Sequence, residues 1–225
     1  MKKEESTEEI MRHYVLKNEF LSTDVEKTNP QYSVSISNHH QNYCVGLVDM
    51  IGSTSTTTKL RHAQIGTYYE IFLNSMSKVL ARFSGAVIKN IGDCLLFYFP
   101  KSNHQNEKNE FMNCLECVLA MTEEHDLIKE KLRDAGLPSM NYRISVDFGS
   151  VFIMRSNDGS MDLIGTPVNI IAKINHFAPK NGIVIGGDLY ELTKKFHGYD
   201  FDALEGFSLL NKMKYPIYSV WRNEK

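Results

Sequence analysis

The stretch that most constrains this chain runs from Ser84 to Pro100, S-G-A-V-I-K-N-I-G-D-C-L-L-F-Y-F-P, where two strand-like apolar segments flank a short polar turn. Val87 and Ile88 lead in, Leu95 to Phe99 lead out, and Lys89, Asn90, Gly92 and Asp93 lie between them. A connection this short holds the two segments as an antiparallel hairpin. An ionised aspartate on such a turn, beside apolar strands, is poorly solvated unless a positive charge meets it. A second segment of the same kind lies upstream, where apolar Val45 to Val48 ends in Asp49-Met50-Ile51-Gly52-Ser53-Thr54 and a helix begins. Two strand-edge carboxylates of this kind suit a shared divalent cation.

With 225 residues the chain is long enough for one sizeable domain and an appendage. Lys and Arg number 25 against 27 Asp and Glu, for a net charge of −2. That balance leaves no broad basic field for nucleic acid or an anionic membrane, so any phosphate recognition is local. Cysteines at 44, 94, 114 and 117 are too irregularly placed for a disulfide framework, and a reducing compartment fits them. No apolar run approaches the roughly 20 residues of a membrane span, and the N-terminal M-K-K-E-E-S-T-E-E lacks the apolar centre of a signal peptide. A soluble, cytoplasmic protein is expected.

Residues 1–42 read as an N-terminal helix and linker arm. Ser6-Thr7-Glu8-Glu9 has the form of a capping box, Ile10, Met11, Tyr14 and Val15 follow at helical spacing, and the segment from Ser22 to Asn42 is polar around Pro30. His39 and His40 are adjacent, so their side chains diverge and read as part of a solvated arm. From Tyr43 to the C-terminus the pattern is that of one catalytic-size domain. A strand from Tyr43 to Asp49 leads into a long helical stretch with Tyr68, Phe72, Met76, Val79 and Leu80 at spacings of three and four. After the hairpin, a second helix is expected from about Glu110 to Asp134; Cys114 and Cys117 share a face with Val118 and Met121 there, as small buried residues. Tyr142–Phe148 and Val151–Met154 suggest a second hairpin about Gly149, and Met161–Pro167 opens a helix that reaches about Phe177. A strand at Gly182–Gly186, a helix at Asp188–Phe196 and a strand at Tyr215–Trp221 complete the order βαββαββαβαβ. Helices alternating with hairpins argue for an α+β fold with a mixed or largely antiparallel sheet flanked by helices.

With these residues laid out, the chain from about Tyr43 onward resembles the catalytic domain of class III nucleotidyl (adenylate/guanylate) cyclases. The resemblance is carried by Val48-Asp49-Met50-Ile51-Gly52-Ser53-Thr54, by Ile88-Lys89-Asn90-Ile91-Gly92-Asp93, and by Asp162-Leu163-Ile164-Gly165-Thr166-Pro167-Val168-Asn169-Ile170-Ile171-Ala172-Lys173. Three motifs in the right order are far more specific than any one. The resemblance implies a ferredoxin-like βαββαβ core and a lyase that converts a nucleoside triphosphate to its 3′,5′-cyclic monophosphate and pyrophosphate. It implies two Mg²⁺ or Mn²⁺ ions per site on Asp49, Asp93 and the Met50 carbonyl, with backbone N–H groups of Ile51, Gly52, Ser53 and Thr54 against the phosphates. Lys89 and Asp162 would read the base, Asn169 would orient the ribose, and Lys173 would stabilise the pentacovalent phosphate. The metal set and the base-reading set of one site would come from different subunits of a head-to-tail homodimer.

The sequence departs from the family pattern where Lys173 replaces the usual arginine, which keeps the charge and loses the forked donors. Glu205 before Gly206 takes the place of a phosphate-binding lysine, for which Lys212 or Lys214 could substitute. Lys89 with Asp162 makes ATP the favoured substrate. The alternatives are a pyrimidine (cytidylate or uridylate) cyclase of an anti-phage signalling system and a catalytically degenerate nucleotide-binding regulatory module. No upstream regulator is legible.

Overall fold

The computed structural model describes residues 32–101, 107–204 and 215–223. The expected N-terminal helix, and Glu205, Gly206, Lys212 and Lys214, lie outside the described residues. Of two compact units, the smaller comprises, of the described residues, 32–35 and Arg155–Ser160, where the Ser33 N–H donates to Asn157 Oδ1 at 3.2 Å. The larger, Ile36–Met154 with Met161–Lys225, holds every site residue discussed below.

The hairpin forms as its sequence requires. Strands β2 (Ala86–Ile91) and β3 (Cys94–Phe99) pair antiparallel about Gly92-Asp93, and Gly92 has φ 63, a left-handed conformation that a side chain would strain. The pairing slips by one residue: Val87 faces Phe97, whereas Lys89 faces Leu96. Phe97 is buried in the main core, and Leu96 belongs to a separate apolar cluster. Without the extra residue, Lys89 would stand opposite Leu95 and point at the main core, where its ammonium would be desolvated.

Strand β1 (Val34–Met50) lies between β3 and β4 (Tyr142–Ser156), with β6 (Ile183–Gly186), β8 (Ile217–Arg222) and β7 (Tyr199–Leu204) continuing the sheet in the order β2-β3-β1-β4-β6-β8-β7. A further strand, β5 (Met161–Gly165), pairs with β4 off that path. β1 with β3 and β8 with both β6 and β7 are antiparallel, while β4 with β6 is parallel, so the sheet is mixed as expected.

Helices cover both faces. α1 (Ser53–Thr57) and α2 (His62–Arg82) follow β1, α3 (Glu107–Glu123) and α4 (His125–Asp134) follow β3, α5 (Thr166–Ile174) continues into a 3₁₀ turn at Asn175–Phe177, and α6 (Gly187–Thr193) follows β6. Phe72 and Met76 of α2, Leu115 of α3 and Leu132 of α4 are fully buried with Val48 and Phe97 in the main core. Each such side chain contributes about 1.5–3 kcal/mol of burial. On the opposite face Ile171 of α5 packs against Val45, Leu47, Leu96 and Leu163. Cys114 and Cys117 are free, buried thiols, as expected of their helix face.

Several local expectations are corrected. β1 begins at Val34, so residues 34–42 are strand and not a connecting arm. The helix opened by Ser53 ends at Thr57, and the long periodic helix starts anew at His62 behind reciprocal hydrogen bonds between Arg61 and Gln64. The expected single helix over 110–134 divides at Glu124. β4 runs unbroken through Gly149, and Met161–Gly165, expected to open a helix, is the strand that returns along it after the Asp158-Gly159 turn. The alternation of Tyr199-Asp200-Phe201-Asp202-Ala203-Leu204, which makes β7, was legible and not anticipated.

Candidate functional site

The site is built from rows that cross the sheet. Asp49 of β1 pairs with Cys94 of β3, and Cys94 with Ile91 of β2. On the other side of β1, the Ile51 N–H donates to Asn141 O at 2.7 Å, and Ser145 Oγ reaches Leu47 O at 3.5 Å. These contacts run in opposite directions along β1 and β4, so Arg143 of β4 falls across from Asp49. One row thus reads Ile91, Cys94, Asp49, Arg143, and the next reads Lys89, Leu96, Leu47, Ser145.

Both rows open onto a cavity of about 440 Å³ whose polar lining includes Asp49, Lys89, Cys94, Arg143 and Asp162. Its apolar cover comes from Val168, Ile171 and Ala172 of α5. At one end Lys89 Nζ is ion-paired to Asp162 Oδ2, and the Leu163 N–H donates to Asp162 Oδ1 at 2.9 Å, which fixes the carboxylate's orientation. At the other end the Cys94 thiol donates to Asp49 Oδ1 at 2.6 Å. Burial pushes the Asp49 carboxyl above its ordinary range; the Cys94 hydrogen bond opposes that rise, the charge of Asp93 adds to it, and Arg143 opposes it. Burial, followed by the hydrogen bond to Asp49, pushes the Cys94 thiol up.

One ligand atom from each of Asp49, Asp93 and Cys94 lies within 4.8 Å of the others. Two neighbouring carboxylates, one of them half-buried and destabilised by the charge of the other, form a donor set that a hard divalent cation would relieve. The protonated thiol serves that set as a donor to Asp49, since a neutral thiol is a poor ligand for such an ion.

A sequence model described as the adenylate and guanylate cyclase catalytic domain matches residues 36–221. The chain belongs to this family. The cyclase domain is 23% identical over 154 residues to a cytidylate cyclase of Escherichia coli, covering 64% of this chain and 33% of that protein. It is also 23% identical over 141 residues to an adenylate cyclase of Streptomyces coelicolor, covering 63% of this chain and 31% of that protein. The chain therefore spans about a third of the length of these curated relatives. Among solved structures, the adenylyl cyclase CyaB from P. aeruginosa superposes with a TM-score of 0.72 at 19% identity, covering 83% of this chain and 98% of that one. The guanylyl cyclase Cya2 gives 0.71 at 18% identity, covering 83% and 95%. Divalent metals are general in this family, in keeping with the acidic cluster.

The cyclase domain does not bring every expected residue to the cavity. Asn169 and Lys173 are exposed on α5 and do not line it. Met50 is buried at the end of β1, with its carbonyl at the strand edge beside Asp49. The Ile51 N–H is already used by Asn141, so of the expected phosphate-facing amides only Gly52, Ser53 and Thr54, which precede or begin α1, lack an intrahelical acceptor. Sequence reasoning missed the polar cavity residues Cys94, Arg143, Asn175 and His176. The signal for Arg143 was a charged residue set into the alternation of β4. Asn175 is buried; its Nδ2 donates to Arg143 O at 3.3 Å and Ser145 Oγ at 3.2 Å, while Ser145 Oγ donates to Ile171 O at 2.9 Å. This polar bridge fixes α5, and with it Asn169 and Lys173, against β4. Among the described residues no helix is long and apolar enough to cross a membrane.

Proposed function

We propose that this chain is a metal-dependent cyclase that joins the ribose 3′-oxygen of a nucleoside triphosphate to its α-phosphorus and releases pyrophosphate, with ATP the favoured substrate. The observation that carries this reading is one face of the sheet that presents both Asp49, next to its acidic partner, and the Lys89–Asp162 pair, the two sets that a head-to-tail pair of subunits would exchange. Mg²⁺ or Mn²⁺, two per site on Asp49, Asp93 and the Met50 carbonyl, would lower the pKa of the attacking hydroxyl and neutralise the leaving pyrophosphate.

The chain's own residues would do the rest. Lys89 donates to a ring nitrogen of the base, and Asp162 accepts from the adjacent exocyclic amino group, each leaving the other to do so. Asn169 orients the ribose, Lys173 meets the charge that develops on the phosphorus oxygens, and the free amides of Gly52, Ser53 and Thr54 meet the phosphates. The exposure of Asn169 and Lys173, away from the cavity lined by Asp49 in the same chain, supports a head-to-tail homodimer in which those side chains serve the partner's metal set.

The Lys89–Asp162 pair also favours CTP as a second reading. Cytosine presents an amino group beside a ring nitrogen acceptor just as adenine does, whereas guanine and uracil would set a carbonyl oxygen against Asp162. Incubation with Mn²⁺ and each of the four nucleoside triphosphates, followed by chromatography, tests the assignment. Cyclic product from ATP, or from CTP as the second reading, is expected above that from GTP and UTP. No cyclic product from any of the four would remove the assignment.

A further inference from the structure

A guanidinium is permanently charged and carries five N–H donors, so where it is held inside a protein its acceptors must be found. Arg143 leaves a buried donor unanswered. Among the described residues it has no ion-pair partner, and its Nε is buried without a hydrogen bond. Leaving a buried donor unpaired costs about 1–3 kcal/mol, and such exceptions in a folded chain call for an absent acceptor.

The surroundings say which kind. Arg143 lines the same cavity as Asp49, Lys89 and Asp162, on the wall formed by β4. Its backbone is fixed: Tyr142 and Ile144 on either side are fully buried, and its carbonyl accepts from Asn175. Asp49 lies across the strand pair and feels the positive charge, yet the two are not ion-paired; Asp49 takes its hydrogen bond from the Cys94 thiol instead. A counterion meant for Asp49 would close on it. A cation held beside a carboxylate without pairing is instead set for a further anion that enters between apolar walls.

We propose that Arg143 is a substrate-binding residue whose guanidinium donates to oxygens of the triphosphate from the sheet wall of the cavity, one strand away from Asp49. The proposal rests on the nucleotide reading above. It gives the site the forked donor that Lys173 does not provide, since lysine offers a point charge where arginine can hold two oxygens at once.

The test is calorimetric titration of inorganic tripolyphosphate, in EDTA, into wild type, Arg143→Gln and Arg143→Lys, with a separate Mn²⁺ titration of each. The expected result is at least a tenfold loss of tripolyphosphate affinity in Arg143→Gln, a smaller loss in Arg143→Lys, and Mn²⁺ affinity within about twofold of wild type. Unchanged tripolyphosphate affinity with altered Mn²⁺ affinity would make Arg143 a positioning residue for Asp49 and overturn the proposal, as would no tripolyphosphate binding by wild type. If circular dichroism shows neither variant folded, wild type is treated with phenylglyoxal and mapped by mass spectrometry. Tripolyphosphate should then shield Arg143, and equal modification with and without it overturns the assignment. Failure of the cyclase reading is seen separately, as tripolyphosphate binding without cyclic product from any nucleotide.

Discussion

Asp49 and Asp147 are carboxylates on neighbouring strands, and they are held in opposite ways. Asp147 of β4 is fully buried and saturated: Tyr215 Oη donates to Oδ2 at 2.7 Å, and the Phe148 and Leu189 N–H groups donate to Oδ1 at 2.9 and 3.3 Å. Gly186 leaves room for it, since a Cβ there would stand 2.2 Å from Asp147 Cγ. Asp147 thereby ties β4 to the first turn of α6 and to Tyr215. Asp49 is only half-buried, takes its one side-chain hydrogen bond from the Cys94 thiol, is repelled by Asp93 and faces a cavity. A buried carboxylate held by three donors is a structural tie, whereas one with fewer donors beside open space is a site for a ligand.

Substitution should separate the two most sharply. Asp49→Ala is expected to lower cyclase turnover with Mn²⁺ at least a hundredfold without lowering the melting temperature. Asp147→Ala removes the acceptor of the Tyr215 hydroxyl and of the Phe148 and Leu189 N–H groups and should lower stability by about 3 kcal/mol, with turnover per folded molecule near wild type. Denaturant melts beside initial rates read both, and the comparison breaks if Asp147→Ala abolishes turnover in protein that remains folded.

Whether the Asp49 corner works with a second chain is read by mixing. Asp93→Ala and Lys89→Ala should each be inactive alone, and the mixture should regain activity as one working site per heterodimer forms. Confirmed dimers with no regained activity would count against a site shared between subunits.

The Asp147 corner should also show in the pH dependence of stability. Burial raises the Asp147 carboxyl from 3.8 to about 6, against the hydrogen bonds from Tyr215, Phe148 and Leu189. Between those values the folded chain binds more protons than the unfolded one, so this contribution is full below pH 3.8 and lost as pH rises through about 6. The swing is roughly 3 kcal/mol, and Asp147→Asn should flatten it in melts taken across that window. Cys94→Ser is the smallest expected change: a hydroxyl still donates to Asp49, and turnover should stay within about threefold. A loss as large as that of Asp49→Ala would show that the thiol itself is needed.

The comparison also marks what the sequence could disclose. Asp49 and Asp93 were legible because each interrupts an apolar run, and the hairpin turn because few residues besides glycine fit its left-handed position. Arg143, Ser145 and Asp147 were not, since they occupy alternate positions of β4 and read as the wet side of a half-buried strand. α5 covers Ser145 and the first turn of α6 meets Asp147, so polar residues there are anchors or ligand contacts, a distinction set by helices remote in sequence. β5 was missed for a similar reason: five residues ending in Gly165 and followed by Thr166-Pro167 look like a helix start unless a long neighbouring strand is there to pair with them.

The extra residue at Ile88 has a consequence for how this domain can change over generations. The turn at Gly92-Asp93 fixes one end of the hairpin, and the bulge resets the parity of the other, so the two ends answer to separate local constraints. On the proposed function, a mutation at position 89 would alter what meets the base and leave the alignment of Asp93 with Asp49 untouched. Loss of the inserted residue, by contrast, turns position 89 into the core. Substrate preference on this scaffold can therefore drift by substitution while the acidic corner stays in place, but it does not survive a one-residue deletion in the strand that holds it.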